Sequence, residues 1–255
     1  MAHGIGLSLA HRPFVPVFIP TDISNLALWL KYDTGVTSEN DETSAANDID
    51  DNDRIKQWDD QSGNNNHAAQ STQADMPRFE SDDNSIKFAN RAKFLDLTSE
   101  LSIENDFTCI IHINWITNSV EQALMGHSAL DLWRLQDNTN FRVKISDSTQ
   151  SNWIEASDTI ATGAWYILTL TRSGGATGNL TVHVDGGTYS DKEWDSAEGA
   201  TDTDTFSISN IGSAADDTTP LNAYVKDVLI YNGTALSKAQ RTDMYNYINS
   251  QTADL

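Results

Sequence analysis

The chain has 255 residues, 37 acidic and 16 basic, for a formal charge of -21. That balance argues against nucleic acid or an anionic membrane surface as partner, since both need clustered Lys and Arg, and it suits hard cations and salty surroundings. With 38% hydrophobic residues the chain can build a core; its one cysteine, Cys109, excludes an intrachain disulfide, and no apolar run is long enough to cross a bilayer.

Residues 1–22 stand apart and hold three of the five prolines, Pro13, Pro16 and Pro20. Proline favours extended backbone, and Phe14, Val15, Val17, Phe18 and Ile19 make that extended segment apolar, so it must be buried against something. It reads either as an edge strand on its own domain or as an N-terminal docking arm for a partner. The first residues lack a basic region and "IGLSLA" is cut off by "HRP", so no secretion signal is expected and synthesis in a cytoplasm is.

Residues 23–255 read as one domain of short strands. "LALWLKY" is a compact apolar run. After it, "DIDDNDRIKQWD" has the D-x-D-x-N form of a calcium loop, with Asp48, Asp50 and Asn52 at the first ligand positions and Asp59 at the twelfth. Asp53 stands where such loops want glycine, so an acidic solvated loop competes with that reading. Next, "WDDQSGNNNHAAQ" offers Trp58 as a buried anchor, Ser62-Gly63 as a turn, and Asn64 to Asn66 as partners for bare backbone groups. His67 has no Ser or Cys nucleophile motif beside it and reads as structural.

Alternation then becomes clear. Phe107, Cys109, Ile111, Ile113 and Trp115 share one face of "FTCIIHINW", opposite Thr108, His112 and Asn114. Phe141, Val143 and Ile145 alternate with Arg142 and Lys144; Leu180, Val182 and Val184 alternate with Thr181, His183 and Asp185. "AWYILTLTR" and "AYVKDVLIYN" are apolar on both faces, as central strands are. Gly-rich turns separate the runs, which together predict a β-sandwich or barrel. One helix is expected near the end, capped by Ser237 with Gln240 and carrying Met244, Tyr247 and Ile248 on its buried stripe.

"LALWLKYDTGVT", "IKQWDDQSGNNNHAAQ", "MPRF", "FTCIIHINW", "AWYILTLTR", "NLTVHVDG" and "AYVKDVLIYNGTALSKAQRTDMYNYI" follow one another as in bacterial and phage laminin-G-like domains of the concanavalin A-like superfamily, which the chain resembles over roughly residues 25–250. The resemblance implies an all-β, two-sheet antiparallel jelly-roll sandwich with a short C-terminal helix. It does not imply one function, because this fold hosts lectins, adhesion modules, glycanases and spacers. Related jelly rolls often hold one structural Ca²⁺ with a carboxylate from the final strand, a position Asp227 matches; Ca²⁺ is the one cofactor considered.

Some glucanases of the fold carry E-x-D-x-x-E on a strand, and Glu193, Asp195 and Glu198 match that spacing. Their surroundings are polar and turn-rich and lack a supporting strand's apolar residues, so no catalytic residue is assigned and the chain is read as non-enzymatic. Trp194 and Trp153, each in a polar stretch, are candidate stacking platforms for a sugar ring.

Two compatible expectations follow. One is a virion decoration or fibre protein, docked on capsid or tail proteins through Phe14, Val15, Val17, Phe18 and Ile19, with homo-oligomers allowed. The other is a carbohydrate-binding adhesin, calcium-assisted, recognising host-surface glycans.

Overall fold

The alternating runs pair into two stacked antiparallel sheets in the computed structural model, which describes residues 18–39, 49–89, 93–103, 106–128, 131–137, 140–144, 152–155, 159–174, 179–187, 189–195, 205–213 and 219–252. The strands are β1 (Leu26–Lys31), β2 (Val36–Ser38), β3 (Ile55–Trp58), β4 (Ala68–Ala69), β5 (Arg78–Glu80), β6 (Ser85–Phe88), β7 (Leu95–Ile103) and β8 (Phe107–Trp115). They continue with β9 (Gln122–Ser128), β10 (Asp131–Asp137), β11 (Asn140–Lys144), β12 (Asn152–Glu155), β13 (Trp165–Ser173), β14 (Asn179–Gly186), β15 (Tyr189–Asp195), β16 (Phe206–Ile211) and β17 (Ala223–Asn232). A single α-helix, α1 (Lys238–Thr252), follows among the described residues, and a 3-10 turn (Pro20–Asp22) precedes β1.

One sheet runs β15-β14-β13-β8-β17-β6-β5, with β1 also paired to β17; the other runs β12-β11-β10-β9-β16-β7-β4-β3-β2. This is the two-sheet sandwich with a C-terminal helix that the sequence predicts. The apolar faces meet between the sheets: Phe107, Ile111, Val143 and Val182 are all fully buried there. Each such side chain contributes roughly 1.5–3 kcal/mol by leaving water. Cys109 is among them, and burial pushes its thiol well above the ordinary range, so it behaves as the small hydrophobe expected.

The polar face of β8 is also buried, which alternation alone does not predict. Ile110, Ile167, Leu229 and Tyr231 form a second apolar cluster outside the first sheet, covered by Met244 and Ile248 of α1. The helix starts as its sequence predicts: the Ser237 N–H donates to Gln240 Oε1 at 2.9 Å, and the Gln240 N–H returns to Ser237 Oγ at 3.4 Å.

The N-terminal segment reaches this outer cluster. Phe18 packs edge-on against Tyr247 with centroids 6.3 Å apart, Pro20 is buried, and the Tyr231 hydroxyl donates to the Pro20 carbonyl at 2.9 Å. Residues 18–22 therefore pack on the chain's own domain, as a 3-10 turn over Pro20–Asp22 and not as the edge strand that the sequence offered. Ile19 beside them is 42% exposed, while Phe14, Val15 and Val17 lie outside the described residues.

Candidate functional site

The loop that follows β3 is built around Asp60. Trp58 is fully buried and its indole N–H donates to the Lys31 carbonyl at 2.8 Å, fixing the loop to β1. Asp60 then accepts the amides of Trp29 (3.0 Å), Ser62 (2.9 Å) and Asn66 (3.0 Å) and the Ser62 hydroxyl (2.8 Å). A carboxylate with four donors satisfies backbone groups that a tight loop would otherwise leave bare. Gly63 and Asn65 supply the left-handed residues, at φ 91° and 57°. The Asn66 side chain pairs with the backbone of Ser99 on β7, donating to its carbonyl at 2.9 Å and accepting its amide at 2.7 Å.

This frame shapes an open groove of about 370 Å³ between the loop, the start of β1, β7 and the end of β17. Leu26, Ala27 and Leu101 supply its apolar surface; Asn25, Asn64, Asn66, Ser99 and Asn232 supply its polar groups. The amide nitrogens are committed to the scaffold. Asn25 Nδ2 donates to Thr234 Oγ1 (3.0 Å), Asn64 Nδ2 to the Leu26 carbonyl (2.9 Å) and Asn232 Nδ2 to the Ser102 carbonyl (3.0 Å). The side-chain oxygens of these three asparagines accept no hydrogen bond among the described residues. Because two of the partners are carbonyls, which only accept, the amide orientations of Asn64 and Asn232 follow from the network itself. The groove thus offers neutral, oriented acceptors beside a small apolar patch, a surface suited to hydroxyl donors on a partly apolar ring.

His67 belongs to the scaffold, as expected. Its Nδ1 accepts the Asp60 amide at 3.2 Å, and the Asp59 carboxylate lies 3.2 Å away.

The proposed calcium set does not assemble among the described residues. Asp48 lies outside them, and Asp50 and Asn52 are exposed. The Asn52 carbonyl accepts a hydrogen bond from Arg78 Nη1 at 2.6 Å. Asp59 accepts Gln57 Nε2 at 2.6 Å, and Asp227 is buried on β17 beside His112. Among the described residues no three His, Cys, Asp or Glu side chains converge in a metal-binding group.

The stretch around Glu193 is a strand, β15, where the sequence suggested turns. It pairs with β14 and forms an edge of the first sheet, a position where charged residues are favoured because they discourage further pairing. Glu193 Oε2 lies 3.5 Å from His183 Nδ1 and Asp195 stands opposite Thr181, while Glu198 lies outside the described residues. Trp194 stands opposite Val182, and Trp153, on β12 at an edge of the second sheet, stands opposite Arg142. The side chains of both tryptophans lie outside what the structure describes.

A laminin-G family model of the concanavalin A-like lectin/glucanases superfamily matches residues 81–240. No curated protein sequence matches the chain. Among solved structures, the binding domain of botulinum neurotoxin DC, in complex with rat synaptotagmin II, is 12% identical with a TM-score of 0.53, over 89% of this chain and 52% of that one. Botulinum neurotoxin type C, whose cell entry depends on interaction with two ganglioside molecules, is 14% identical with a TM-score of 0.53, over 89% and 51%. Trypanosoma rangeli sialidase in complex with sialic acid is 15% identical with a TM-score of 0.51, over 90% and 34%. At such identities the likeness is one of fold alone, and this chain spans about half the length of the toxin domains and a third of the sialidase.

Proposed function

The chain belongs to the concanavalin A-like lectin/glucanases superfamily, and from that premise we propose that it is a non-enzymatic glycan-binding module whose contact surface is the asparagine groove. The observation that carries this reading is the trio of scaffold-anchored amides, Asn25, Asn64 and Asn232, whose carbonyl oxygens remain for sugar hydroxyls. The gangliosides and sialic acid of the structural neighbours support a glycan as ligand class.

Ser99 gives the cleanest test. It lines the groove, and its contacts to Asn66 use backbone atoms alone. Ser99→Trp should fill the groove without breaking the frame. On a glycan array the wild-type chain should bind a defined set of glycans and Ser99→Trp should lose them at unchanged melting temperature. Equal binding by both proteins would sink the assignment. Loss of binding in Trp153→Ala or Trp194→Ala, with Ser99→Trp unaffected, would move the site to those tryptophans. A glycanase activity lost in a Glu193 variant would overturn the non-enzymatic reading.

A finer reading makes this module a virion decoration or fibre protein that docks on capsid or tail proteins through residues preceding the domain. The apolar Phe14, Val15 and Val17, the acidic charge of -21 and the 42% of Ile19 left exposed support it, while Phe18 is already packed on Tyr247 of the domain. Particles assembled with a chain lacking residues 1–17 should lose the protein; full incorporation would exclude docking through that segment.

A further inference from the structure

Five residues, Asn52, Arg78, Lys87, Ala89 and Lys93, line a second pocket of about 370 Å³ at the β5 edge of the first sheet. Three of them are cations and none is an acid, in a chain with 37 acidic and 16 basic residues. Chance placement on so acidic a surface would favour the opposite sign.

Arg54, Arg78 and Lys87 are stacked by strand register, and Lys93 joins them from the loop before β7. Arg54 bridges to Arg78, Arg78 stands opposite Lys87, and Lys87 stands opposite Tyr224 on β17, with its ammonium 5.2 Å from the tyrosine ring. Residues directly opposite on antiparallel strands share a face, and like charges there repel. Two of the cations are neutralised: Lys87 by Glu80 at 2.8 Å and Arg54 by Glu39 at 3.5 Å. The other two are not. Arg78 donates to the Asn52 carbonyl at 2.6 Å and Lys93 donates to the Ala74 carbonyl, and neither has a carboxylate partner within ion-pair distance among the described residues. Burial, opposed by the attraction of Asp75 and reinforced by repulsion from Arg78 and Arg54, holds the Lys93 amine below its usual value.

We infer that this pocket is a second binding site, which takes a compact oxyanion, a sulfate or carboxylate group, between Arg78, Lys87 and Lys93. Such a group would neutralise the like-charged ladder and accept charge-assisted hydrogen bonds from a guanidinium and two ammonium donors. It stands on a different edge of the molecule from the asparagine groove and does not depend on that groove's role.

Sodium sulfate titrated into the full chain, against sodium chloride at matched ionic strength, tests it. Sulfate should raise the melting temperature saturably beyond the chloride control. Lys93→Met and Arg78→Gln should each weaken sulfate binding about tenfold by isothermal titration. Ser99→Trp should leave the sulfate response unchanged. Identical sulfate and chloride responses, or undiminished sulfate binding in both pocket variants, would overturn the proposal. Lys93 projects from the loop before β7, so Lys93→Met keeps the test usable even where Arg78→Gln disturbs the Asn52 loop. A sulfated disaccharide that binds the pocket more tightly than inorganic sulfate, with the gain lost in Lys93→Met, identifies the anion as glycan-borne. Equal binding identifies a free oxyanion.

Discussion

His112 Nδ1 lies 3.5 Å from Asp227 Oδ2, on neighbouring strands at the point where β17 carries a bulge. Both side chains are 4% exposed, the Trp165 ring packs edge-on against the imidazole at 4.8 Å, and the Lys226 ammonium lies 4.6 Å from the centre of that same ring. Burial dominates here. It lowers the His112 pKa from its ordinary 6.5, outweighing the attraction of Asp227, and Lys226 adds to the lowering.

The sign of the pH dependence follows. Below pH 6.5 the unfolded chain takes up a proton that the folded imidazole resists, so the stability tied to His112 is complete above that value and is lost as the pH falls. Denaturant melts of wild type and His112→Gln should show the wild-type advantage shrinking from about pH 7.5 to about pH 5.5. An advantage that stays constant, or grows, over that interval contradicts the account.

Asp60→Ala should be among the most damaging single changes outside the core. It strands the amides of Trp29, Ser62 and Asn66. A loss of about 3 kcal/mol is expected, with Asp60→Asn losing less because one acceptor oxygen remains. Because Asp60 holds the loop that carries Asn64, glycan binding should fall in the surviving folded fraction as well. Equilibrium unfolding and array binding of the same preparations read both effects.

At the helix start, Ser237→Ala removes the hydroxyl that caps the Gln240 amide. The expected cost is about 1 kcal/mol. It should appear as a lower denaturation midpoint with an unchanged slope, since α1 covers the sheet in the variant as it does in wild type.

Gly35 has φ 69°, and a Cβ there would collide with the Asp59 side chain. Gly35→Ala combines that collision with left-handed strain and should cost more than about 2 kcal/mol. Gly63, at φ 91°, has open space around it, so Gly63→Ala should cost only the backbone strain. The contrast between the two melts separates strain from collision.

The strands that alternate strongly were legible in the sequence: Phe107 to Trp115, Phe141 with Val143, and Leu180 to Val184 all turn their apolar side inward. The helix was legible through Ser237, Gln240 and its apolar stripe. β7 was not. Most of its residues are exposed, and it is a strand because β4 and β16 pair with it, not because its pattern demands one. β15 was misread as turns for a related reason, since an edge strand can carry charge along its length. The groove was the least legible feature. Asn64 and Asn66 stood out in the "NNN" run, but Asn25, Ser99 and Asn232 join them only through the pairing of β1 with β17 and the docking of the loop on β7. The keystone Asp60 looked like one acid among many, because its role lies in backbone amides that carry no sequence signal.

The position of β17 has a consequence for how the protein is made. This late strand lies between β8 and β6 and also pairs with β1, near the opposite end of the chain. A nascent polypeptide cannot complete its first sheet until β17 leaves the ribosome, and until then the edge of β8 that β17 covers stays unpaired. Such high contact order slows folding and lengthens the window for aggregation during synthesis. Expression at low temperature, or with added chaperone, should therefore raise soluble yield more than any surface substitution does.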